Sequence, residues 1–182
     1  MSSSFDPSSE LTSHSRSGPS VGDLFVRLAD TPWQIAMVLS GGGSGAVGIC
    51  FRRAGASVNF VEANIPYSRA SLESYLGAPP FDGYASVDTA QQAATVARSR
   101  AIRLGNGNEQ RSAGLALLAV LPTEPSRQDG CRVVVALQTA NESKTWVQSI
   151  DKATDGERHD RSSAESIADH MVIVAIEHLL SL

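Results

Sequence analysis

The hydrophobic positions of this chain follow a helical spacing first and strand-like runs soon afterwards. Near the start, four apolar residues recur every three or four positions, which is typical of an amphipathic helix. These residues are Val21, Leu24, Phe25 and Leu28. Ser20 is the expected N-cap of this helix and Pro32 is its expected end. The nearly continuous apolar run at 33–39 then predicts a strand buried on both faces.

The remaining pattern predicts further helices and strands in alternation. Helices are expected at 46–54, 68–77, 86–104 and 162–180, and strands at 57–63, 113–123, 131–139 and 144–150. Two of these strands, 113–123 and 131–139, are expected to form a hairpin, and Ser162 with Glu165 predicts a capping box for the last helix. Helices alternate with strands in the first half, and strands cluster later. The chain therefore predicts an α/β fold, a three-layer α/β/α sandwich with a mixed sheet.

The first 19 residues differ in composition from the rest of the chain. They are rich in serine and have almost no large apolar side chains, so folding them would bury too little surface to offset the lost entropy. We therefore expect a disordered tail at 1–19 and a single domain at 20–182. No apolar run is long enough to cross a bilayer, which argues against a membrane protein.

Charge and cysteine content exclude several classes of function. The formal net charge is −4, whereas a nucleic-acid-binding protein needs a basic face, so we expect no nucleic-acid partner. Cys50 and Cys131 form neither a disulfide framework nor a metal-ligand pattern, and His170 and His178 on the last predicted helix have no partner at metal-site spacing. We therefore expect a cytoplasmic protein without a metal.

The glycine-rich stretch VLSGGGSGAVGICF at 38–51 joins the first predicted strand to the second predicted helix. Its Gly43, Gly45 and Gly48 match the G-x-G-x-x-G fingerprint of dinucleotide sites, and Glu62 follows at the distance of a ribose-binding carboxylate. In this first interpretation the pyrophosphate of NAD would lie at the N-terminus of the helix.

Two other interpretations of this stretch remain open. In one, Ser40 is a nucleophile or a ligand contact, because it ends a strand at the edge of the sheet where α/β folds bind ligands. The glycines after it would leave room for a substrate and offer backbone N–H groups to an oxyanion or a phosphate. In the other, the glycines only permit a tight turn and close packing. No histidine near Ser40 in sequence offers itself as the base that a serine nucleophile needs.

The region from 20 to 182 resembles the CinA carboxy-terminal domain family at four separated points. The family's Glu-Ser-Cys-Thr-Gly-Gly at the end of a strand resembles LSGGGS at 39–44. Its Tyr-Ser-Asn, which precedes a small helix ending in Leu-Gly, resembles YSRASLESYLG at 67–77. Its Val-Ser-Glu at the start of a long helix resembles ASVDTA at 85–90, and its Gly-Asp-Arg before the last helix resembles HDR at 159–161.

Characterised members of this family are nicotinamide-nucleotide amidohydrolases that release ammonia from nicotinamide mononucleotide. The resemblance implies that Ser40 and Tyr67 are catalytic, that a small phosphorylated nucleotide is the ligand, and that no cofactor is needed. Water or Ser40 would attack the carboxamide carbon, while glycine-turn N–H groups stabilise the oxyanion and an arginine holds the phosphate. The implied ligand contacts are Gly41, Gly42, Gly43, Ser44, Ser68, Arg69, Asp160 and Arg161.

The sequence departs from the family pattern at several of these points. Leu39, Gly41 and Gly42 replace the family's Glu, Cys and Thr, and Arg69 replaces its Asn. The family's glycine-rich loop and its later Lys-Pro-Val-Gly are reduced to LPTEPSRQDG at 121–130. The resemblance therefore leaves two functions open: an amidohydrolase, and a non-catalytic relative that senses a nucleotide or forms a homo-oligomer.

Overall fold

A computed structural model describes residues 21–123, 130–150 and 159–182. The expected tail at 1–19, the expected N-cap Ser20 and two predicted loop segments at 124–129 and 151–158 lie outside the described residues. The helices are α1 (Val21–Ala29), α2 (Ser44–Phe51), α3 (Arg69–Leu76), α4 (Val87–Leu104) and α5 (Arg161–Leu179). The strands are β1 (Gln34–Ser40), β2 (Phe60–Asn64), β3 (Ser112–Val120), β4 (Arg132–Gln138) and β5 (Ser143–Ser149).

The five strands form one mixed sheet in the order β2-β1-β3-β4-β5. β1 is parallel to both β2 and β3, while β4 is antiparallel to both of its neighbours, β3 and β5. The predicted hairpin is confirmed, because Leu117 on β3 pairs with Val135 on β4. In the parallel half of the sheet, Ser40 pairs with Leu118, so the end of β1 lies between the ends of its two neighbours.

Helices cover both faces of this sheet, as the sequence predicts. Ile35, Met37 and Leu39 of β1 pack in the core cluster that contains α1, α2 and α5. The alternate residues Ala36 and Val38 pack in the cluster that contains α3 and α4. Because successive side chains of a strand point to opposite faces, β1 must be apolar where both faces are covered, and its buried residues 35–39 are all apolar. The three-layer α/β/α prediction is confirmed.

α4 lies unusually close to the sheet because its buried side chains are small. Its inward face consists of Thr89, Ala90, Ala93, Ala94, Ala97 and Ala101. The opposing position on β3 is Gly114, where an added Cβ would lie 1.9 Å from the carbonyl oxygen of Ala94. A glycine is therefore required for this close approach. Within the described residues, no helix is both long enough and apolar enough to cross a membrane.

Two elements start two or three residues away from the start that the pattern predicts. α2 begins at Ser44 rather than at 46, and it ends at Phe51 rather than at 54. β2 begins only at Phe60, after a 3-10 turn at Ala56–Val58 that follows the left-handed backbone of Gly55. The side-chain amide of the intervening Asn59 donates to the carbonyl oxygen of Trp33 at 3.0 Å, which fixes the start of the strand beside β1.

The predicted capping box of α5 is wrong. The N-cap is Asp160, whose side chain accepts a hydrogen bond from the backbone N–H of Ser163 at 2.7 Å. Ser162 is therefore already inside the helix, two residues after the N-cap position. Glu165 instead reaches across to the glycine turn, where it bonds the backbone N–H of Gly43.

Candidate active site

A pocket with a cavity volume of about 260 Å³ opens at the carboxyl edge of the sheet, where β1 ends. We call it the Ser40 pocket. Its polar lining consists of Ser40, Tyr67, Ser68, Arg69, Tyr84 and Arg132. These residues come from β1, the β2–α3 loop, α3, the loop before α4, and β4. Of the residues expected at the site, Ser40, Gly41, Tyr67, Ser68 and Arg69 line the pocket together.

The Ser40 hydroxyl is half-buried and already has an acceptor. It donates a hydrogen bond to the carbonyl oxygen of Pro66 at 2.8 Å. Among residues 21–123, 130–150 and 159–182, those that line the pocket include no histidine, lysine, aspartate or glutamate. Because a serine becomes a nucleophile only when a base takes its proton, Ser40 is positioned in the pocket but is not activated in this arrangement.

Tyr67 and Ser68 lie side by side but have different roles. The Tyr67 side chain is 68% exposed, so its ring offers an aromatic face to a ligand. Ser68 is the N-cap of α3, and its hydroxyl accepts from the backbone N–H of Ser71 at 3.2 Å. Ser68 therefore satisfies the end of the helix, and its hydroxyl retains a donor hydrogen that can point into the pocket.

Two guanidinium groups give the Ser40 pocket a positive charge. Arg69 lies over the ring of Tyr84, with 5.1 Å between the guanidinium carbon and the ring centroid. Arg132 donates from Nε to the carbonyl oxygen of Ala85 at 2.7 Å, which leaves its terminal nitrogens free of that bond. The described residues of its lining include two cations and no carboxylate, so the pocket suits an anion although the chain as a whole is acidic.

The second half of the glycine turn does not reach the pocket. Gly42, Gly43 and Ser44 are absent from its lining, contrary to the expectation that they contact the ligand. Instead, Gly43 donates from its backbone N–H to Glu165 at 2.7 Å, and Ala46 donates to a side-chain oxygen of Asp169 at 2.8 Å. Those two carboxylates of α5 occupy the N-terminus of α2, so the protein supplies its own anion there.

The Asp169 carboxyl has a perturbed acidity because of this position. Burial raises the pKa of Asp169 above its ordinary value, and the nearby charge of Glu165 acts in the same direction. The hydrogen bond from the backbone N–H of Ala46 opposes this shift without reversing it. Burial therefore disfavours the ionised form of Asp169, and the contact with the N-terminus of α2 partly offsets this effect.

The same contacts contradict the dinucleotide interpretation. The N-terminus of α2, where a pyrophosphate would lie, is occupied by Glu165 and Asp169. Glu62, the expected ribose contact, forms an ion pair with Arg100 instead, through two hydrogen bonds. An added Cβ at Gly48 would meet nothing within 4 Å, so this glycine does not serve the close helix–strand packing of that fingerprint.

Asp160 and Arg161 also lie outside the lining of the pocket. Asp160 caps α5, and the hydrogen bond from the Ser163 backbone lowers its pKa. Arg161 donates from Nε and Nη2 to one oxygen of Glu165, at 2.9 and 2.6 Å, and reaches the carbonyl oxygen of Gly41 at 3.4 Å. Arg161 therefore holds α5 against the turn, whereas Asp160 caps the helix.

Arg161 also contacts Tyr67, a residue that lines the Ser40 pocket. Burial lowers the pKa of Arg161, but its hydrogen bonds to Glu165 and Tyr67 outweigh burial and raise the pKa overall. The contact with Tyr67 places that phenol at the boundary between the pocket and α5. The sequence resemblance implies that Arg161 contacts the ligand. In the structure, Arg161 is outside the pocket lining and contacts Tyr67, which is part of that lining.

Tyr84 and Arg132 are pocket residues that the sequence reasoning missed. Arg132 enters the site because β4 pairs antiparallel with β3, which brings it opposite Val120. Tyr84 lies in the loop before α4, next to buried Ala85. Neither residue belongs to a short motif, and an arginine at the start of a strand or a tyrosine in a loop is ordinarily a surface residue. The strand register could have indicated Arg132, whereas no local signal marks Tyr84.

Comparisons with known proteins connect this fold to one superfamily. No protein-family profile and no curated protein sequence matches the chain. A CinA superfamily protein from Enterobacter cloacae superimposes with a TM-score of 0.70 at 16% identity, over 94% of this chain and 99% of its own. One from Escherichia coli gives 0.67 at 14% identity, over 90% and 91%. A competence/damage inducible protein from Agrobacterium tumefaciens gives 0.61 at 18% identity, over 88% and 94%.

These structures share the chain's architecture over almost their whole length, while their sequences differ from it at more than four positions in five. Likeness at this level identifies a fold. The chain therefore has the fold of CinA superfamily proteins, which is the fold that the sequence resemblance implies.

Proposed function

We propose that this CinA-like domain binds a small phosphorylated nucleotide in the Ser40 pocket. The observation that carries the proposal is that Arg69 and Arg132 both line a pocket in which the described lining residues include no carboxylate. Guanidinium groups match the geometry of phosphate and keep their charge at all physiological pH values. The pocket also lies at the carboxyl edge of parallel strands, where open α/β sheets bind their ligands.

The size and lining of the pocket favour a mononucleotide. A cavity of about 260 Å³ is slightly smaller than the usual small-molecule sites, which span roughly 300–1,000 Å³. A phosphate and a ribose fit this volume, and the exposed ring of Tyr67 at the rim offers a stacking face for a base. A dinucleotide would extend well beyond the pocket.

Amide hydrolysis is the second candidate, and the position of Ser40 beside Tyr67 in the pocket favours it. Ser40 would attack the carboxamide carbon of a pyridine nucleotide, ammonia would leave, and water would release the acid. The Ser40 hydroxyl would first have to leave the carbonyl oxygen of Pro66 and pass its proton to a base, which the described part of the pocket lining does not contain. Binding requires neither step, and this difference is why binding is the leading proposal.

Calorimetric titration with nicotinamide mononucleotide tests the binding proposal. Arg69→Gln and Arg132→Gln should each weaken the affinity about tenfold, because each removes one charged contact to the phosphate. Nicotinamide riboside, which lacks the phosphate, should bind the wild type more weakly than nicotinamide mononucleotide does. Its affinity for the two variants should equal its affinity for the wild type. Arg27→Gln, on the exposed face of α1, is the matched control for a lost surface charge. Equal affinity of the wild type for both compounds would refute the proposal.

Ammonia release separates the two candidates. The binding proposal expects the wild type to bind nicotinamide mononucleotide without releasing ammonia. It also expects Ser40→Ala to retain affinity, since the Ser40 hydroxyl is occupied by Pro66. Steady ammonia release by the wild type, abolished in Ser40→Ala, would instead establish the amidohydrolase.

A further inference from the structure

Arg69 and Glu73 are one helical turn apart on α3, the spacing at which oppositely charged side chains pair on a helix surface. Such a pair would neutralise the arginine that the pocket presents to its ligand. Within the described residues, the structure shows no ion pair between them. The Glu73 carboxylate accepts a hydrogen bond from the hydroxyl of Tyr84 instead.

Tyr84 contacts both members of the potential pair. Its hydroxyl binds Glu73, and the same ring lies beneath the guanidinium of Arg69, 5.1 Å from centroid to carbon. The bond to Glu73 also raises the pKa of Tyr84, as expected for a phenol that donates to a carboxylate. The ring therefore supports the cation while the hydroxyl holds the competing anion away from it.

We propose that Tyr84 is a positioning residue that keeps Glu73 from pairing with Arg69 and thereby leaves the Arg69 guanidinium available to the ligand's phosphate. This inference rests on the proposed function, because it assigns Arg69 to phosphate binding in the Ser40 pocket. Tyr84 acts through its neighbours, since its own hydroxyl is committed to Glu73. Neither Tyr84 nor Glu73 belongs to the residues that the sequence resemblance implies.

Tyr84→Phe tests the proposal because it keeps the ring and removes only the hydroxyl. Glu73 then loses its donor and turns to Arg69, so the affinity for nicotinamide mononucleotide should fall about fivefold to tenfold. The double variant Tyr84→Phe/Glu73→Gln should regain wild-type affinity, because a neutral amide does not neutralise Arg69. Loss of packing around Tyr84 would give no such rescue.

Tyr75→Phe provides the matched control, because Tyr75 lies on α3, the helix that carries Arg69 and Glu73. The Tyr75 hydroxyl is buried and has no hydrogen-bond partner in the described part of the chain, so its removal should leave affinity unchanged. Equal affinity of Tyr84→Phe and the wild type would overturn the inference while leaving the binding proposal intact. A weakened Tyr84→Phe that Glu73→Gln does not restore would overturn it as well.

A crystal structure of the Tyr84→Phe variant tests the contact without any ligand. The Glu73 carboxylate is expected within 4 Å of the Arg69 guanidinium, the usual limit of an ion pair. A carboxylate that stays away from Arg69 in that structure would refute the positioning role. This result does not depend on affinity, so it decides the inference even if the wild type fails to bind nicotinamide mononucleotide and the proposed function is wrong.

Discussion

Glu165 on α5 accepts a hydrogen bond from the backbone N–H of Gly43 at 2.7 Å, although the two residues are 122 positions apart in the chain. Arg161 binds the other oxygen of the same carboxylate and also reaches the carbonyl oxygen of Gly41. α5 therefore holds the glycine turn through two contacts: Glu165 accepts from a backbone N–H of the turn, and Arg161 donates to a backbone carbonyl oxygen of the turn. Because Gly41 also lines the Ser40 pocket, α5 determines the shape of the pocket wall without entering it.

The first prediction concerns the stability that this contact provides. Glu165→Ala leaves the Gly43 N–H without its acceptor and Arg161 without its carboxylate, which should lower the free energy of unfolding by about 1–3 kcal/mol. Glu177→Ala, on an exposed position of the same helix, should change it by less than about 0.5 kcal/mol. Urea unfolding of both variants measures the difference, and equal stability would contradict the role of Glu165.

The second prediction is a pH dependence at Asp169. The pKa of this carboxyl is raised above its ordinary value of 3.8, so the folded chain binds the proton more tightly than the unfolded chain does. The resulting stabilisation is fully present below about pH 3.8 and is lost as the pH rises through the folded pKa. Asp169→Asn cannot ionise, yet its amide oxygen can still accept from Ala46. The stability of the wild type relative to this variant should therefore fall with rising pH, and a flat difference would exclude the shift.

The third prediction has the opposite sign and concerns Glu62. Hydrogen bonds from Arg100 lower the pKa of Glu62 below its ordinary value of 4.5, despite the opposing effect of burial. Its contribution is present above about pH 4.5 and is lost as the pH falls through the lower folded pKa. In acid, the wild type should therefore lose stability relative to Glu62→Gln. The two difference curves, measured by urea unfolding in the same buffers, should slope in opposite directions.

Much of this fold could be predicted from local pattern. The apolar run of β1, the amphipathic spacing of α1 and the alanine-rich α4 each follow from rules that act over a few residues. The hairpin of β3 and β4 is also predictable, since neighbouring strands in sequence usually pair. The strand order was not predicted, because the crossover that places β1 between β2 and β3 depends on packing of the whole sheet.

The site was predictable only where its residues are contiguous in sequence. Ser40 and Tyr67 could be located because a strand end and a short motif mark them. The local pattern predicts that Glu165 belongs to a capping box, whereas in the structure Glu165 binds the glycine turn at Gly43, 122 residues away. Tyr84 and Arg132 enter the pocket through tertiary packing alone. Local rules fail where a polar side chain finds a distant partner that satisfies it better than a near one.

The last prediction compares two glycines that a local rule would treat alike. Gly48 lies inside α2, and an added Cβ would meet nothing within 4 Å, so Gly48→Ala should stabilise the protein by about 0.5–1 kcal/mol through its better helix propensity. Gly114→Ala would place its Cβ 1.9 Å from the carbonyl oxygen of Ala94 and 2.3 Å from the backbone nitrogen of Arg98.

Neither backbone atom can move without shifting α4, so Gly114→Ala should cost about 3 kcal/mol or more. Thermal and urea unfolding of the two variants give the comparison directly. If Gly48 packed against the sheet as a dinucleotide fingerprint requires, both substitutions would destabilise the protein. A gain at Gly48 beside a large loss at Gly114 would show that the glycine needed for close helix–strand approach is Gly114 on β3 under α4, not Gly48 in α2.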